Sequence, residues 1–153
     1  MFIKSLVSAL NAAQIPYALV GGFAVSLHGA VRGTLDIDII IPLEQEIYKK
    51  VEEVMGSIGL ASRIPVSGQE VFNFRDEYID KRNLKAWSFV NSSNPAELVD
   101  ILIIYDLNKV STVRKTTPFG DINVISLKDL IKIKREAGRP QDLADVAALE
   151  KLK

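Results

Sequence analysis

Apolar residues recur at helical spacing at Phe2, Leu6, Ala9, Leu10 and Ala13, which predicts a helix over 1–14 that Pro16 stops. A short apolar strand follows at Tyr17–Val20, then a Gly21-Gly22 turn and a return to helix over Phe23–His28. Between Asp36 and Ile41 the period changes to two, with aspartates alternating with isoleucines, and Pro42 closes that strand. Leu43–Ile58 reads as an amphipathic helix ended near Gly59. Strands are expected near Val71–Phe74 and Ala86–Val90, with the charged run Arg75–Arg82 as a solvated, mobile loop and Asn91–Pro95 as a loop by composition. Glu97–Tyr105 is the next strand, and Thr112–Ile125 reads as a hairpin around Phe119-Gly120-Asp121. Ser126 opens a helix to Ala137, with Asp129 completing a capping-box pattern and Gly138 ending it. Pro140 sits early in a last helix that runs to about Leu152. This order of elements predicts an α/β (α+β) fold with a mixed β-sheet. At 153 residues it suits one domain, 1–153, with 126–153 as a C-terminal helical pair.

The two alternating strands place acidic residues where the sheet pattern calls for something else. Asp36 and Asp38 are two apart and share a face, while Ile37, Ile39 and Ile41 face the other way. In 97–105, Val99, Ile101 and Ile103 form one face and Asp100 lies opposite, flanked by Leu98 and Leu102. Read singly, each aspartate has a plainer role: Asp36 capping a turn, Asp38 solvated on its strand, Asp100 paired with a cation. If the two strands are neighbours, three carboxylates meet on one patch and their repulsion calls for a cation. Hard oxygen ligands select magnesium or manganese.

Composition narrows the setting. Hydrophobic residues make up 48% and charged residues 25%, and the 19 basic and 19 acidic residues cancel. Overall charge therefore exerts no long-range pull on nucleic acid, and any polyanion must be met by a local patch, best formed by Lys128, Lys132, Lys134, Arg135 and Arg139. Cysteine is absent, which excludes disulfides and thiolate metal sites and fits a reducing cytoplasm. No stretch is long and apolar enough to span a bilayer. The expectation is a cytoplasmic protein with no membrane partner.

The turn Val20-Gly21-Gly22 matches neither the P-loop pattern nor the dinucleotide fingerprint. It does follow a strand and open a helix, where free N–H groups meet phosphate; a plain tight turn accounts for it equally. On the helix from Ser126, positions 127, 130, 131, 134 and 137 form one stripe, and Lys134 is its only polar member. Either its ammonium faces inward to neutralise phosphate, or its stem lies on apolar surface with the charge in water. Asp142 and Asp145 either hold Lys134 or Arg139 in place or form a solvated acidic face. Arg32 and Thr34 reach phosphate or pin a loop. His28, the one histidine, reads as a packed helix-end residue. Phe72, Phe74, Trp87 and Phe89 read as core, with one ring available to stack on a base.

Together, Leu19-Val20-Gly21-Gly22, a spacer of thirteen residues and Asp36-Ile37-Asp38-Ile39 resemble the polymerase-β-like nucleotidyltransferase signature, and Val99-Asp100-Ile101 resembles its third carboxylate. The segment from Gly21 to Asp38, and the C-terminal run Ile125–Val146, are similar to small stand-alone members and the AbiEii toxin-like branch. Where many members carry serine after the first glycine, Gly22 stands here, so a hydroxyl that touches phosphate is lost. The resemblance implies helices mainly on one face of the sheet. It implies Asp36, Asp38 and Asp100 as catalytic and metal-holding residues for Mg2+ or Mn2+, with Asp100 helping to deprotonate the acceptor. It further implies Gly21 and Gly22 at the nucleotide's phosphates and favours the inward, phosphate-neutralising reading of Lys134; Arg32 joins them as a nucleotide-binding residue from its place ahead of the first aspartate. The reaction implied is transfer of a nucleoside monophosphate from an NTP to a hydroxyl of RNA, protein or a small molecule, with loss of pyrophosphate. The alternative is a non-catalytic nucleotide-binding or toxin–antitoxin interaction module with an antitoxin-like partner protein.

Overall fold

The structure, a computed structural model, describes residues 2–33, 36–118 and 120–153. Seven α-helices and seven strands are formed among these: α1 (Phe2–Ala12), β1 (Ala18–Val20), α2 (Gly21–Leu27), β2 (Ile37–Ile40), α3 (Gln45–Ser57), β3 (Ala61–Ser62), α4 (Gly68–Asn73), α5 (Arg75–Arg82), β4 (Ala86–Asn91), β5 (Asn94–Leu102), β6 (Thr112–Thr117), β7 (Gly120–Ile125), α6 (Leu127–Ala137) and α7 (Pro140–Glu150). A single sheet has the order β3-β4-β5-β2-β1-β7-β6. The pairs β2–β5 and β1–β7 are parallel and the others antiparallel, so the sheet is mixed as the element order predicts.

Alternation decides the faces. Ile37, Ile39, Val99, Ile101, Trp87 and Phe89 are all buried, while Asp38, Asp100, Leu102, Ala86 and Ser88 on the opposite face are only partly covered. Over the buried face, Tyr48 of α3 stacks on Trp87 at 6.0 Å and meets Phe72 of α4 edge-on at 5.8 Å. Gly68 lets α4 sit close to α3: a Cβ there would lie 2.4 Å from the Tyr48 carbonyl oxygen. No helix among the described residues is long and apolar enough to cross a membrane.

Several expected elements differ. Val71–Phe74 belongs largely to α4 and not to a strand, because Ser67 and Glu70 close a reciprocal capping box (Ser67 Oγ accepts from Glu70 N–H at 3.1 Å, Glu70 Oε1 from Ser67 N–H at 3.1 Å). Phe74 lies outside the core, 49% exposed. The charged run is helix α5 and not a loop. Asp76 and Glu77 stand in its first turn, Lys81 and Arg82 in its last, and Asn83 ends it in the left-handed region at φ 52°. Arg75 anchors it by donating to the Ile103 carbonyl at 2.6 Å. Asn91–Pro95 is a tight β4–β5 connection, with Pro95 tolerated where the register shifts after Val90. The short β3 has no counterpart in the sequence reading. The β6–β7 hairpin forms as expected, with Thr117 opposite Gly120; Phe119 lies outside the described residues, as does Met1 at the start of the first helix.

Ser126 caps α6 as expected, accepting from Asp129 N–H at 3.2 Å, but the box stays half closed. The Asp129 carboxylate turns instead to Ser111, whose N–H and hydroxyl donate to it at 2.6 and 2.8 Å and hold its pKa below the usual carboxylate value.

Candidate active site

One rung of the sheet carries the carboxylates. Val20 faces Asp38 across β1–β2, Asp38 faces Asp100 across β2–β5, and Asp100 faces Ser88 across β5–β4. Directly opposed residues share a face, so the sequence-predicted pair from two distant segments meets side by side. Asp36 stands exposed just ahead of β2, and its charge acts on Asp38. Thr34 lies outside the described residues.

Burial is the largest influence on Asp38, and the charges of Asp100 and Asp36 add to it; together they raise its pKa from 3.8 to about 6, against the opposing pull of Lys134 and Arg139. Asp100 is steadied by the hydroxyl of Ser88, which donates to its Oδ1. Sequence reading missed Ser88, because a serine in a strand carries no signal until the register puts it beside an acid.

Gly21 explains how Asp38 fits. It begins α2 at φ +65°, and a Cβ on it would stand 2.0 Å from Asp38 Oδ2. Any side chain there both strains the backbone and displaces the carboxylate. Gly21→Ala is therefore expected to cost about 1–3 kcal/mol of stability, measured by urea unfolding. Wild-type stability in that variant would show that the close approach is not required.

The cations come from the C-terminal helices. Lys134 is 6% exposed on α6 and points inward, with its Nζ 3.0 Å from Asp145 Oδ2 and 3.4 Å from Asp142 Oδ1. Arg32 Nε donates to Asp145 Oδ1 at 3.1 Å, tying the loop ahead of Asp36 to α7, and Arg139 Nε donates to Asp142 Oδ2 at 2.7 Å. Burial pushes the Asp142 carboxyl up, but the Arg139 guanidinium and Lys134 outweigh it and hold it low. Three cations against two carboxylates leave this cluster net positive, and its charge reaches Asp38. The two aspartates are thus buried anchors and not a solvated acidic face.

The proposed basic patch is split. Lys134 is inside, while Lys128, Lys132 and Arg135 are exposed, Arg135 being paired with Glu150. His28 packs at the end of α2 with Nε2 2.7 Å from the Ile125 carbonyl oxygen, and burial lowers its pKa, so it is a structural residue as its position suggests.

Among the described residues, no three carboxylate or imidazole groups are gathered closely enough to cage a metal ion on their own. Magnesium does not need such a cage: it is usually held by one or two carboxylates together with substrate phosphates and water. A rung of two carboxylates, crowded enough to lift the pKa of one, fits that mode of binding.

Two aspartates thus stand on one rung beside a glycine turn, and comparison with known proteins shows which family carries this arrangement. The chain matches the family described as "Nucleotidyltransferase of unknown function (DUF6036)" over residues 2–152, and it belongs to that family. Comparison with curated protein sequences gives no match. Among solved structures, the lincosamide antibiotic adenylyltransferase LnuA in its lincomycin-bound form is similar at TM-score 0.68 and 13% identity, covering 99% of this chain and 96% of that one. The complex of ANT(2'')-Ia with adenylyl-2''-tobramycin gives TM-score 0.62 at 14% identity, covering 98% and 90%. An antigenic nucleotidyltransferase-like protein from Paracoccidioides brasiliensis gives 0.61 at 16%, covering 98% and 74%. The chain is thus a nucleotidyltransferase of the polymerase-β-like superfamily; the narrower kinship with AbiEii-type toxins has no counterpart in these matches.

Proposed function

We propose that this protein transfers a nucleoside monophosphate from an NTP to a hydroxyl acceptor in a reaction that depends on a divalent metal ion, Mg2+ or Mn2+. The observation that carries the reading is the placement of Asp38 and Asp100 on one rung, next to a net positive cluster that can face a triphosphate. Asp36, Asp38 and Asp100 are the residues we assign to the metal. When bound, the ion would offset their mutual repulsion and withdraw charge from phosphate oxygens.

The chain's own groups do the rest. Lys134, Arg139 and Arg32 oppose the charge of the triphosphate, and the backbone N–H groups of Gly21 and Gly22 are our candidates for its oxygens. The acceptor oxygen attacks the α-phosphorus as the bond to the β-phosphate oxygen breaks and pyrophosphate departs. Asp100, with Oδ1 engaged by Ser88, takes the acceptor's proton on its other oxygen. Such a reaction needs positioning and charge neutralisation more than covalent help. We further propose that residues 1–153 work as one catalytic domain, with the helical pair 126–153 supplying Lys134. Adenylyl transfer to small antibiotics by two structural neighbours supports a small-molecule acceptor here.

Thermal stability with each NTP and Mg2+ or Mn2+ tests the reading, paired with transfer from α-labelled NTP. Wild type should gain several degrees with a metal–NTP complex by ligand linkage, and Asp36→Asn with Asp38→Asn should gain none. A stability gain without transfer to RNA, protein or small molecules would make the chain a nucleotide-binding module instead. An equal gain in wild type and the double variant would refute the site.

A further inference from the structure

We propose that the cavity beside Ser88 is the acceptor site, and that it takes a small hydroxylated molecule bearing a carboxylate or phosphate. This assignment rests on the nucleotidyl-transfer reading and names its second substrate.

The argument starts from the order of strands. Along the rung the side chains run Ser88, Asp100, Asp38 and Val20 across β4, β5, β2 and β1. Lys134 and Arg139 act electrostatically on Asp38, two strands away from Ser88 along the rung. In-line displacement at phosphorus needs the attacking oxygen and the leaving pyrophosphate on opposite sides. With the triphosphate against the cationic cluster, the acceptor must come from beyond Asp100, over β4.

A cavity of about 280 Å3 lies there, lined by Arg63, Ile64, Leu84, Ala86 and Ser88. Ala86 and Ser88 are two apart on β4 and share the face of Asp100. Ser88 is both a wall of the cavity and the donor to Asp100, so the cavity begins one hydrogen bond from the proton-accepting carboxylate. A larger cavity of about 430 Å3, between Phe2, Ser5, Ile58 and Glu97, touches no member of the rung.

The lining selects the chemistry. Ile64, Leu84 and Ala86 offer an apolar surface for a short carbon skeleton. Arg63 is the one charged residue of the wall; it is exposed, and its guanidinium makes no hydrogen bond or ion pair among the described residues, its backbone N–H alone being bonded, to the Ser88 carbonyl at 2.9 Å. A guanidinium so placed recognises carboxylate or phosphate by paired hydrogen bonds. The volume leaves room for a hydroxy acid or a sugar phosphate.

The test uses the full chain with Mg2+ and each α-labelled NTP. Acceptors are offered in charge-matched pairs, glycerol 3-phosphate against glycerol and gluconate against glucitol, with total RNA alongside. Stabilisation by Mg2+–NTP is measured in parallel. We expect the anionic member of at least one pair to take label with a kcat/KM at least tenfold above its neutral partner. Arg63→Gln should raise the acceptor KM at least tenfold and leave the NTP KM unchanged, with Arg63→Lys recovering part of the loss. Ala86→Phe, which puts a ring into the cavity, should cut transfer at least a hundredfold while the stabilisation by Mg2+–NTP stays as in wild type. Intact stabilisation by Mg2+–NTP with no label in any small molecule, or label entering RNA at an unchanged rate in both variants, overturns the acceptor assignment. Loss of that stabilisation in wild type overturns the nucleotidyl-transfer reading instead, and the assignment with it.

Discussion

Asp38→Asn should make the metal-free protein more stable while removing its activity. In the folded chain the Asp38 carboxyl has a pKa of about 6 against an ordinary 3.8, first through burial and then through Asp100 and Asp36. A raised carboxyl pKa means that the folded state binds the proton more tightly than the unfolded state does. Stability from this group is full below pH 3.8, falls as pH rises through 6, and is constant above that. The ionised form at neutral pH thus costs the metal-free fold about 2–3 kcal/mol, and asparagine removes that cost while keeping the shape. Urea unfolding in EDTA should show wild type and variant alike near pH 3.5, diverging to about 2 kcal/mol by pH 7. Transfer should fall by ~10³-fold or more, the scale expected when a group that organises charge at the reacting phosphate is lost. A variant less stable than wild type at pH 7 would mean that Asp38 is held by a favourable partner and not crowded. An active variant would remove Asp38 from the chemistry.

That cost is the physical reason the site could be read from sequence at all. An acidic residue on an otherwise apolar strand face is unfavourable to folding, so its presence twice, in Asp36-Ile37-Asp38 and at Asp100, marks a site. The alternation of Ile37, Ile39, Val99 and Ile101 fixed which way both strands face, and the parallel register of β2 and β5 then brought Asp38 level with Asp100. Lys134 was legible for the same reason, as a charge in an apolar helical stripe, though the stripe ends there, since Ala137 is exposed. What stayed hidden depends on register and on capping. Ser88 matters only because β4 pairs with β5 at that residue. Phe72 and Phe74 suggest a strand by propensity, whereas the Ser67–Glu70 box starts a helix there. The run from Arg75 to Arg82 has little apolar periodicity, so its helix depends on end charges and on Arg75 gripping the Ile103 carbonyl. The exposed lysines of α6 were grouped with Lys134 by sequence proximity alone, although the helix turns Lys134 away from them.

Lys134→Met separates the two roles this lysine is assigned. Its ammonium sits between Asp142 and Asp145, both almost wholly buried, and removing one partner of a buried pair typically costs 3–5 kcal/mol because the other charge is left without compensation. Here Arg139 still holds Asp142 and Arg32 still holds Asp145, so the loss should fall at the low end, about 3 kcal/mol. Replacing Asp145 by Asn in the same chain removes the other member of the Lys134 pair, and the coupling between the two should make the double variant at least ~1 kcal/mol more stable than the sum of the singles predicts. Activity should not follow stability. If Lys134 opposes the triphosphate in the transition state, Lys134→Met lowers kcat/KM for the NTP by ~100-fold, comparable to losing one preorganised donor, and Lys134→Met with Asp145→Asn stays equally poor while refolded and stable. Assays run well below the melting temperature of each variant keep the two quantities apart. Should transfer return together with stability in the double variant, Lys134 serves only to tie α6 to α7, and the triphosphate must rely on Arg32 and Arg139.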